Sequence, residues 1–468
     1  MGLLIDPTAR FVRTDRGALV VTARGAREVS GAHAFAWLSA LMPLLDGALD
    51  REAVLARTAG PRRAALAALL DVVAEAGLVT DSGSARAPGR AVAVSGGLAE
   101  RVATAARRAG VPATPSPGGG TWSARLVGDG WRGELRSCRD AVWLLLPGGG
   151  SPAPRWTAVR ARAAAWGDQL RPGRAPADAV AVAAARLVAE HRAWLAGRGR
   201  SAPVALRIHG DTLAAAAHRC PRARGRSSSA EPLDLAEFDR RTDRLCDDRL
   251  GVIGRPSEGG LRQLPLHISA VAAPARPLST AVGADLPSAR RRAAVTALLG
   301  AVAPAVPLGA AVGLSADDAK LCGLLSWTAH LAVGEDGVPT TPTDPYAAHL
   351  LRQLGHLVGR PPGWRDLGEP LGAPTLRADG ITVSGASRHH AERELAERLV
   401  ARAQHPGAEH AAPLSPGLVG ERVDPRVPAR IEHALRAAGW VVRVRGLSDD
   451  AAVRAAVPHL LAVEVHRG

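Results

Sequence analysis

The 468-residue sequence lacks most of the features that mark a secreted, metal-stabilised or membrane protein. It has four cysteines and no C-x-x-C pair, which argues against a disulfide framework and a four-cysteine zinc site. No apolar run approaches the ~20 residues of a membrane span. The first residues do not have the charged region and apolar core of a signal peptide. We therefore expect a cytoplasmic protein with no membrane partner.

Aromatic residues and lysine are also scarce, since aromatics make up 3 % of the chain and Lys320 is its one lysine. The cores must be built from Ala, Leu and Val, and the net charge of +15 comes from arginine. The arginines are scattered beside Ala, Asp and Glu rather than collected in a basic stripe with aromatics. Nucleic-acid binding is therefore the weaker interpretation of the charge.

Polar and glycine-rich segments divide the chain into three blocks. "DSGSARAPGR" (81–90) and "CPRARGRSSSAEP" (220–232) are predicted linkers. They bound three predicted domains, at residues 1–81, 89–219 and 232–468. Strand-like and helix-like segments occur in every block, so the predicted fold class is α/β.

The first block predicts a β-hairpin and a third strand, followed by three helices. "RFVRTDRGALVVTA" has an Asp-Arg-Gly turn between two strand-like runs, and "REVSGA" is the third strand. Asp50 is the predicted cap of the second helix, and Pro61 and Gly77 bound the third. This order of elements is the arrangement of a winged helix.

The segments "LMPLLDGALDREAVLART" and "LAALLDVVAEAGLVTD" resemble the peptide-recognition domain of enzymes that modify ribosomally made peptides. The resemblance implies that the leader of a precursor peptide adds as a strand beside the third strand, against the third helix. A DNA-binding winged helix and a purely structural module are the alternatives. The peptide-binding residues that the resemblance implies are Arg27, Glu28 and Val29 on the strand, and Arg62, Arg63, Leu66 and Leu70 on the helix.

The second block opens with "AVAVSGG" and an amphipathic helix. Such a strand–glycine turn–helix unit can place backbone amides around a phosphate, but the full G-x-G-x-x-G pattern is missing. The block resembles the ThiF-like domain of azoline-forming peptide maturation proteins. The paired C-x-x-C motifs of active members are absent, and "AHRCPRA" keeps only His218 and Cys220. The resemblance implies a truncated ThiF-like α/β domain that acts as a scaffold and does not adenylate.

The third block contains "RLCDDRLGVIG", "LPLHISAV", "GLSADDAKLCGLLSWTAHLAV" and "GLSDDAAVRAAVPHLLAVEV". The segment "ARRRAAVTALLGAVAP" (289–304) is an apolar helix with a predicted inner face of Val295, Leu298, Leu299 and Val302. Taken in order, these five segments resemble a YcaO domain of the azole-peptide branch. The resemblance implies an α/β domain that activates a backbone amide with ATP and magnesium. It also implies acid pairs at i and i+3 on two helices.

Those acid pairs are missing from this sequence. The expected positions align with Gly300 and Ala303 on the first helix and with Ser326 and Ala329 on the second, and residues 289–304 and 321–334 contain no carboxylate. We therefore treat these four as degenerate cofactor-binding positions. We assign no catalytic residue, metal ligand or cofactor to this chain, and we expect ATP and magnesium in a partner.

Two other polar groups have local interpretations. Asp317 and Asp318 are expected in the first turn of a helix capped by Ser315. His389 and His390 have Glu392 and Glu394 nearby, but adjacent helical residues point in different directions, so we do not expect the two histidines to share a metal ion. They are interpreted as solvated positions.

The predicted function is a leader-peptide-binding component of an azoline-forming cyclodehydratase complex of the bacteriocin or thiopeptide type. It would present the precursor to a catalytic YcaO subunit, and a homodimer is a further alternative. Two functional alternatives stay open. One is an ATP-dependent peptide cyclodehydratase in its own right, and the weaker one is a DNA-binding regulator.

Overall fold

The computed structural model describes residues 2–5, 10–14, 17–22, 25–31, 34–41, 45–56, 60, 62–75, 79–81, 91–116, 120–128, 130–149, 151–221, 231–303, 305–334, 336–360, 362–405, 408 and 411–468. Two compact units are present. Unit 1 is Met1–Arg160 with Gln169–His218, and unit 2 is Ala161–Asp168 with Arg219–Gly468. Most of both predicted linkers, together with Pro61 and Gly77, lies outside the described residues.

The beginning of unit 1 has two small antiparallel sheets and three helices, in the order β1 (Gly2–Ile5), β2 (Arg10–Thr14), β3 (Gly17–Thr22), β4 (Gly25–Ser30), α1 (Ala34–Leu41), β5 (Asp46–Asp50), α2 (Arg51–Ala56), α3 (Arg62–Glu75) and β6 (Val79–Asp81). The predicted hairpin is present, with Thr14 opposite Gly17. The predicted cap is also present, since Asp50 accepts a hydrogen bond from the Ala53 amide at 2.8 Å. The β5–β1–β6 sheet was not predicted.

The rest of unit 1 is built on a seven-stranded sheet in the order β13–β12–β11–β10–β9–β7–β8. Among the described strands of this sheet, only β7 and β8 pair in parallel. It is therefore not the parallel sheet that a glycine turn after a strand often precedes. The elements are β7 (Val92–Ser95), α4 (Ala99–Arg108), β8 (Ala113–Ser116), β9 (Ser123–Gly128), β10 (Trp131–Ser137), β11 (Ala141–Leu146), α5 (Trp156–Ala165), α6 (Ala177–Leu195), β12 (Val204–His209) and β13 (Ala215–His218).

Unit 2 contains three antiparallel sheets, β14–β15, β16–β22–β21 and β17–β18–β19–β20. No helix in the described part of the chain is long and apolar enough to span a membrane. The elements are α7 (Leu235–Asp243), β14 (His267–Val271), β15 (Ser279–Gly283), α8 (Leu286–Val302), β16 (Ala310–Val312), α9 (Ala316–Leu331), β17 (Val338–Pro339), α10 (Pro345–Val358), β18 (Trp364–Asp366), β19 (Thr375–Ala378), β20 (Ile381–Ser384), α11 (Arg388–Gln404), α12 (Arg426–Ala437), β21 (Trp440–Gly446), α13 (Ala451–Ala456) and β22 (Leu460–Arg467).

Three helices of unit 2, α8, α9 and α11, begin in the same way. A strand ends at or just before a glycine, and two residues later a side chain caps the helix by accepting an amide hydrogen bond. The glycine is required because a Cβ at Gly313 would lie 2.3 Å from the backbone nitrogen of Ala319. The other two glycines are equally crowded. The three glycine and cap pairs are Gly283 with Asp285, Gly313 with Ser315, and Gly385 with Ser387.

This shared start sets an equivalent register on the three helices. The predicted cap of α9 is confirmed, because the Asp318 amide donates to Ser315 Oγ at 3.1 Å. The predicted inner face of α8 is also present, with Val295, Leu298 and Leu299 buried and Val302 half-buried. Side chains seven and eleven residues after each cap lie on one face of their helix.

Candidate functional site

The positions seven and eleven residues after the caps carry part of the polar interior of unit 2, including the buried Arg292 and Glu394. One turn separates them, so each helix presents two such side chains on the same face. Position seven is occupied by Arg292, Cys322 and Glu394, and position eleven by Thr296, Ser326 and Arg398.

A cavity of about 350 Å³ lies between α9, β20, α11 and the segment 411–414 of unit 2. This volume is within the range of small-molecule sites. Helix α9 contributes Cys322, Leu325, Ser326, Ala329 and His330 to its lining. The other polar lining residues are Thr382 and Ser384 from β20, and His390, Glu394 and Arg398 from α11.

Among the described lining residues Glu394 is the one carboxylate, and two guanidinium groups bind it. Arg292 Nη2 donates to its Oε2 at 2.7 Å, and Arg398 Nε donates to its Oε1 at 2.8 Å. Behind it, Arg292 Nη1 lies 3.0 Å from Glu397 Oε2, and Tyr346 donates its hydroxyl to Glu397 Oε1 at 3.1 Å. Arg292, which joins the two carboxylates, is only 4 % exposed. These five residues form the Arg292 cluster.

The cluster sets different ionisation states for its two carboxyl groups. Burial alone would raise the pKa of Glu394, but Arg292 and Arg398 lower it to about 2. Burial raises the pKa of Glu397, and the neighbouring charge of Glu394 raises it further against the effect of Arg292. Glu394 is therefore a carboxylate at neutral pH, with its charge balanced by arginine.

Cys322 and Ser326 of α9, which line the cavity, have local partners. Ser326 Oγ donates to the Cys322 carbonyl at 3.1 Å, and Cys322 Sγ lies 3.6 Å from the Pro413 carbonyl oxygen. Burial, together with the charges of Asp318 and Glu394, raises the pKa of the Cys322 thiol above its ordinary value. The thiol therefore stays protonated and is a poor nucleophile at neutral pH.

The cavity residues do not fit a magnesium-bridged triphosphate. Magnesium prefers carboxylate oxygens that are not already paired with cations, and both oxygens of Glu394 are bound by arginine. Asp318, at the start of α9, is engaged by the Leu314 and Gly417 amides and by Ser415 Oγ. Across the described ranges, no group of three or more His, Cys, Asp or Glu residues is placed to hold a metal ion.

Two of the four degenerate positions line the cavity. Ser326 and Ala329 are in its wall, whereas Gly300 and Ala303 are absent from the lining residues. A Cβ at Gly300 would meet no atom within 4 Å, and Ala303 is the C-cap residue that follows α8. Counted from the caps, the α8 positions that match Ser326 and Ala329 are Thr296 and Leu299, one turn earlier. These two positions also carry no acid.

The predicted peptide-binding positions Arg27, Glu28 and Val29 belong to β4, which lies at the edge of the β2–β3–β4 sheet. Glu28 is exposed and accepts a hydrogen bond from Thr14 Oγ1 at 3.1 Å. Val29 is buried, and Arg27 pairs with Val20 of β3 through the backbone register. Successive side chains of β4 therefore alternate between the solvent and the core.

The predicted peptide-binding positions on α3 also include both exposed and buried side chains. Arg63 is exposed and lies 3.2 Å from Glu52 of α2, and Arg62 is the first residue of the helix. Leu66 and Leu70 are 4 % and 2 % exposed, so they belong to the core of this region. Their side chains stabilise the fold, whereas Arg63 is accessible to a partner.

The polar face of α11 corrects one sequence expectation. His389 is exposed as expected, but His390, Glu392 and Glu394 are buried rather than solvated. The cap at Ser387 sets the register, so His390 and Glu394 turn inward on consecutive turns. The signal that could have found this site is the i, i+3 pair of Glu394 and Glu397 in "ERELAER", which follows a cap like those of α8 and α9.

The amides of the glycine turn at the start of the second block are hydrogen-bonded to backbone carbonyl groups. The Gly97 amide donates to the Gly120 carbonyl at 3.2 Å, and the Leu98 amide donates to the Ser123 carbonyl at 3.0 Å. These amides are therefore not available to a phosphate. His218 ends β13, where its ring centroid lies 5.6 Å from that of Trp143, and Cys220 is half-buried.

No protein-family model and no curated protein matches this chain. Two solved structures are similar to it in fold. A heterocyclase in complex with substrate and cofactor is 11 % identical, with a TM-score of 0.54, over 99 % of this chain and 94 % of the other. The heterocyclase TruD is 13 % identical, with a TM-score of 0.45, over the same shares. The chain therefore has the mixed α/β fold of the first of these heterocyclases.

Proposed function

We propose that this protein is a non-catalytic component of heterocycle formation on ribosomally made peptides. It binds the leader of a precursor peptide and presents the core to a catalytic YcaO partner, which holds ATP and magnesium. The single observation that carries the proposal is the state of Glu394, which is the one carboxylate among the cavity residues that the structure describes and is bound by Arg292 and Arg398.

The charge of the Arg292 cluster supports a role without ATP activation. A magnesium ion would have to displace two guanidinium groups from Glu394 while lying next to them. Two like charges at short range in a buried site repel strongly. Arg292 is also joined to Glu397, so it cannot leave without exposing a second carboxyl group to an unpaired environment.

Among the described strands, β4 pairs on one side only, which supports leader binding at its other edge. A peptide that adds to an edge strand gains main-chain hydrogen bonds, and alternating side chains then select its sequence. Glu28 is exposed on β4, and Arg63 is exposed on α3. We assign Arg27, Glu28 and Val29 to the strand side of this interaction and Arg62 and Arg63 to its helix side, supported by the core residues Leu66 and Leu70.

The test uses the full chain, with a precursor peptide and an acid-complete YcaO protein, both of which the proposal predicts to be encoded in the same gene neighbourhood. The leader, labelled with fluorescein, should bind the chain with rising anisotropy. The chain alone with precursor, ATP and magnesium should release no phosphate above background and should leave the precursor mass unchanged. Adding the YcaO protein should give the loss of water expected for azoline formation.

Matched arginine variants locate the leader site. Arg63 and Arg107 are both exposed and both lie 3.2 Å from a glutamate, Glu52 and Glu100 respectively. Arg63→Ala should weaken leader binding several-fold, and Arg107→Ala should not. Azoline formation by the purified chain alone would overturn the proposal in favour of an enzyme. Duplex DNA binding that falls steeply with salt, without leader binding, would favour a regulator.

A further inference from the structure

His390 presents an unused hydrogen-bond donor to the cavity. It is 7 % exposed and lines the cavity wall. Its Nδ1 accepts a hydrogen bond from the Ala386 amide at 3.2 Å, so in the neutral ring the proton is on Nε2. Among the residues that the structure describes, none accepts a hydrogen bond from that Nε2. An imidazole N–H without a protein acceptor in a cavity wall can donate to an acceptor on a ligand.

Arg398 presents a second set of donors on the same helix. Its Nε is bound to Glu394, but within the described part of the chain its two Nη groups have no partner. The side chain is 22 % exposed and lines the cavity. A planar guanidinium with one side fixed by a carboxylate is well oriented to bind an anion with the other.

The rest of the cavity wall, as far as the structure describes it, offers apolar surface and no unpaired carboxylate. Glu394 is balanced by Arg292 and Arg398, and Ser326 already donates within α9. Leu308, Leu325, Val333 and Leu414 supply the apolar lining. The site thus combines cationic and neutral donors with a hydrophobic wall, which is the usual composition of a small-molecule pocket.

We propose that this cavity binds a small organic anion without a metal ion. Arg398 holds its phosphate or carboxylate head, His390 donates to a further acceptor, and the apolar body packs on the leucine and valine side chains. This site goes beyond the proposed leader-binding function and does not depend on it, since the leader site lies in unit 1 and the cavity in unit 2.

The test is isothermal titration of the full chain with benzoate and with phenyl phosphate, in buffer containing EDTA. Benzyl alcohol is the uncharged control. At least one of the two anions should bind saturably at one site, and the alcohol should bind at least about tenfold more weakly because it lacks the charge-assisted hydrogen bond. Binding of benzoate alone identifies a carboxylate ligand, and binding of phenyl phosphate alone identifies a phosphate monoester.

Three variants locate the site. Arg398→Gln should weaken anion binding by about tenfold or more, whereas Arg402→Gln, on the same helix but bound to the Asp379 carbonyl, should not. Ala329→Leu fills the cavity and leaves every charge in place, so it should abolish binding in a folded protein. The proposal is overturned if neither anion binds saturably, if binding requires magnesium, or if Ala329→Leu binds as wild type does.

Discussion

Both units join a strand to a helix through a crowded glycine, but they use the junction differently. In unit 1, Cβ atoms at Gly96 and Gly97 would lie 2.3 Å from the Ser123 and Thr121 carbonyl oxygens. Those glycines let a neighbouring strand approach, and its backbone then binds the amides at the start of α4. No side chain caps that helix.

In unit 2, the corresponding glycines crowd the first turn of their own helices, and Asp285, Ser315 and Ser387 cap them. The helices then share one register, and the side chains seven residues beyond the caps of α8 and α11, Arg292 and Glu394, meet in the Arg292 cluster. The comparison teaches that a glycine after a strand reports close packing. The chemistry depends on side chains two and three turns further along the helix.

The largest expected effect comes from removing one charge from the Arg292 cluster, which unit 2 contains and which tests the difference between the units. Glu394→Gln leaves Arg292 buried with Glu397 as the carboxyl group that it contacts, so we expect the free energy of unfolding to fall by about 3–5 kcal/mol. Urea denaturation measures the loss, and hydrogen exchange should place it in α11 and α8 rather than in the seven-stranded sheet.

The matched control is Glu397→Gln. Burial raises the pKa of Glu397, so the fold disfavours its ionised form, and an uncharged amide should replace it at a smaller cost in stability. We expect its effect to be clearly smaller than that of Glu394→Gln. Equal losses for the two variants would contradict the assignment of the negative charge to Glu394.

Local sequence patterns were sufficient for many elements of the fold. The turn between β2 and β3, the caps at Asp50 and Ser315, and the buried face of α8 each depend on residues close in sequence. Hairpin turns and caps are local interactions, so the residue types that form them are visible in a short window. The β5–β1–β6 sheet was missed because its strands pair across long stretches of chain.

The Arg292 cluster could not be predicted for the same reason. Arg290, Arg291 and Arg292 look alike in sequence, yet they bind Glu258, Asp239 and the buried pair of Glu394 and Glu397. Arg292 and Glu394 are 102 residues apart, so only the tertiary fold selects which arginine turns inward. The missing acids of α9 could be identified from the sequence, but the acids present on α11 required the shared helix register.

The second-largest expected effect is a difference between the two units in how their stability depends on acid pH. The pKa of Glu394 is lowered from its ordinary 4.5 to about 2, so its stabilising contribution is complete above pH 4.5 and is lost between about 4.5 and 2. At about 1.4 kcal/mol per pKa unit, this amounts to roughly 3 kcal/mol. The raised pKa of Glu397 acts in the opposite direction, because its ionisation costs stability as the pH rises above 4.5.

Urea unfolding of wild type and Glu394→Gln from pH 6 to about pH 2 measures this contribution. The variant's stability should depend less on pH in that window. Hydrogen exchange should show wild-type α11 opening at acid pH before the strands β9–β12 of unit 1. Parallel pH profiles for the two proteins would show that the cluster does not hold Glu394 ionised.

The glycine junctions should give the smallest change, and one common to both units. Gly96→Ala and Gly313→Ala each place a Cβ 2.3 Å from a backbone atom, so each should cost about 1–3 kcal/mol. Gly96 also has φ of +116°, which adds strain for alanine. Gly300→Ala is the control, since its Cβ meets no atom within 4 Å, and it should stabilise α8 by ~0.5–1 kcal/mol. Urea midpoints rank the three variants. If Gly96→Ala left the stability unchanged, the turn of unit 1 would have space for a side chain. The N-terminus of α4 would then be an alternative anion site to the cavity of unit 2.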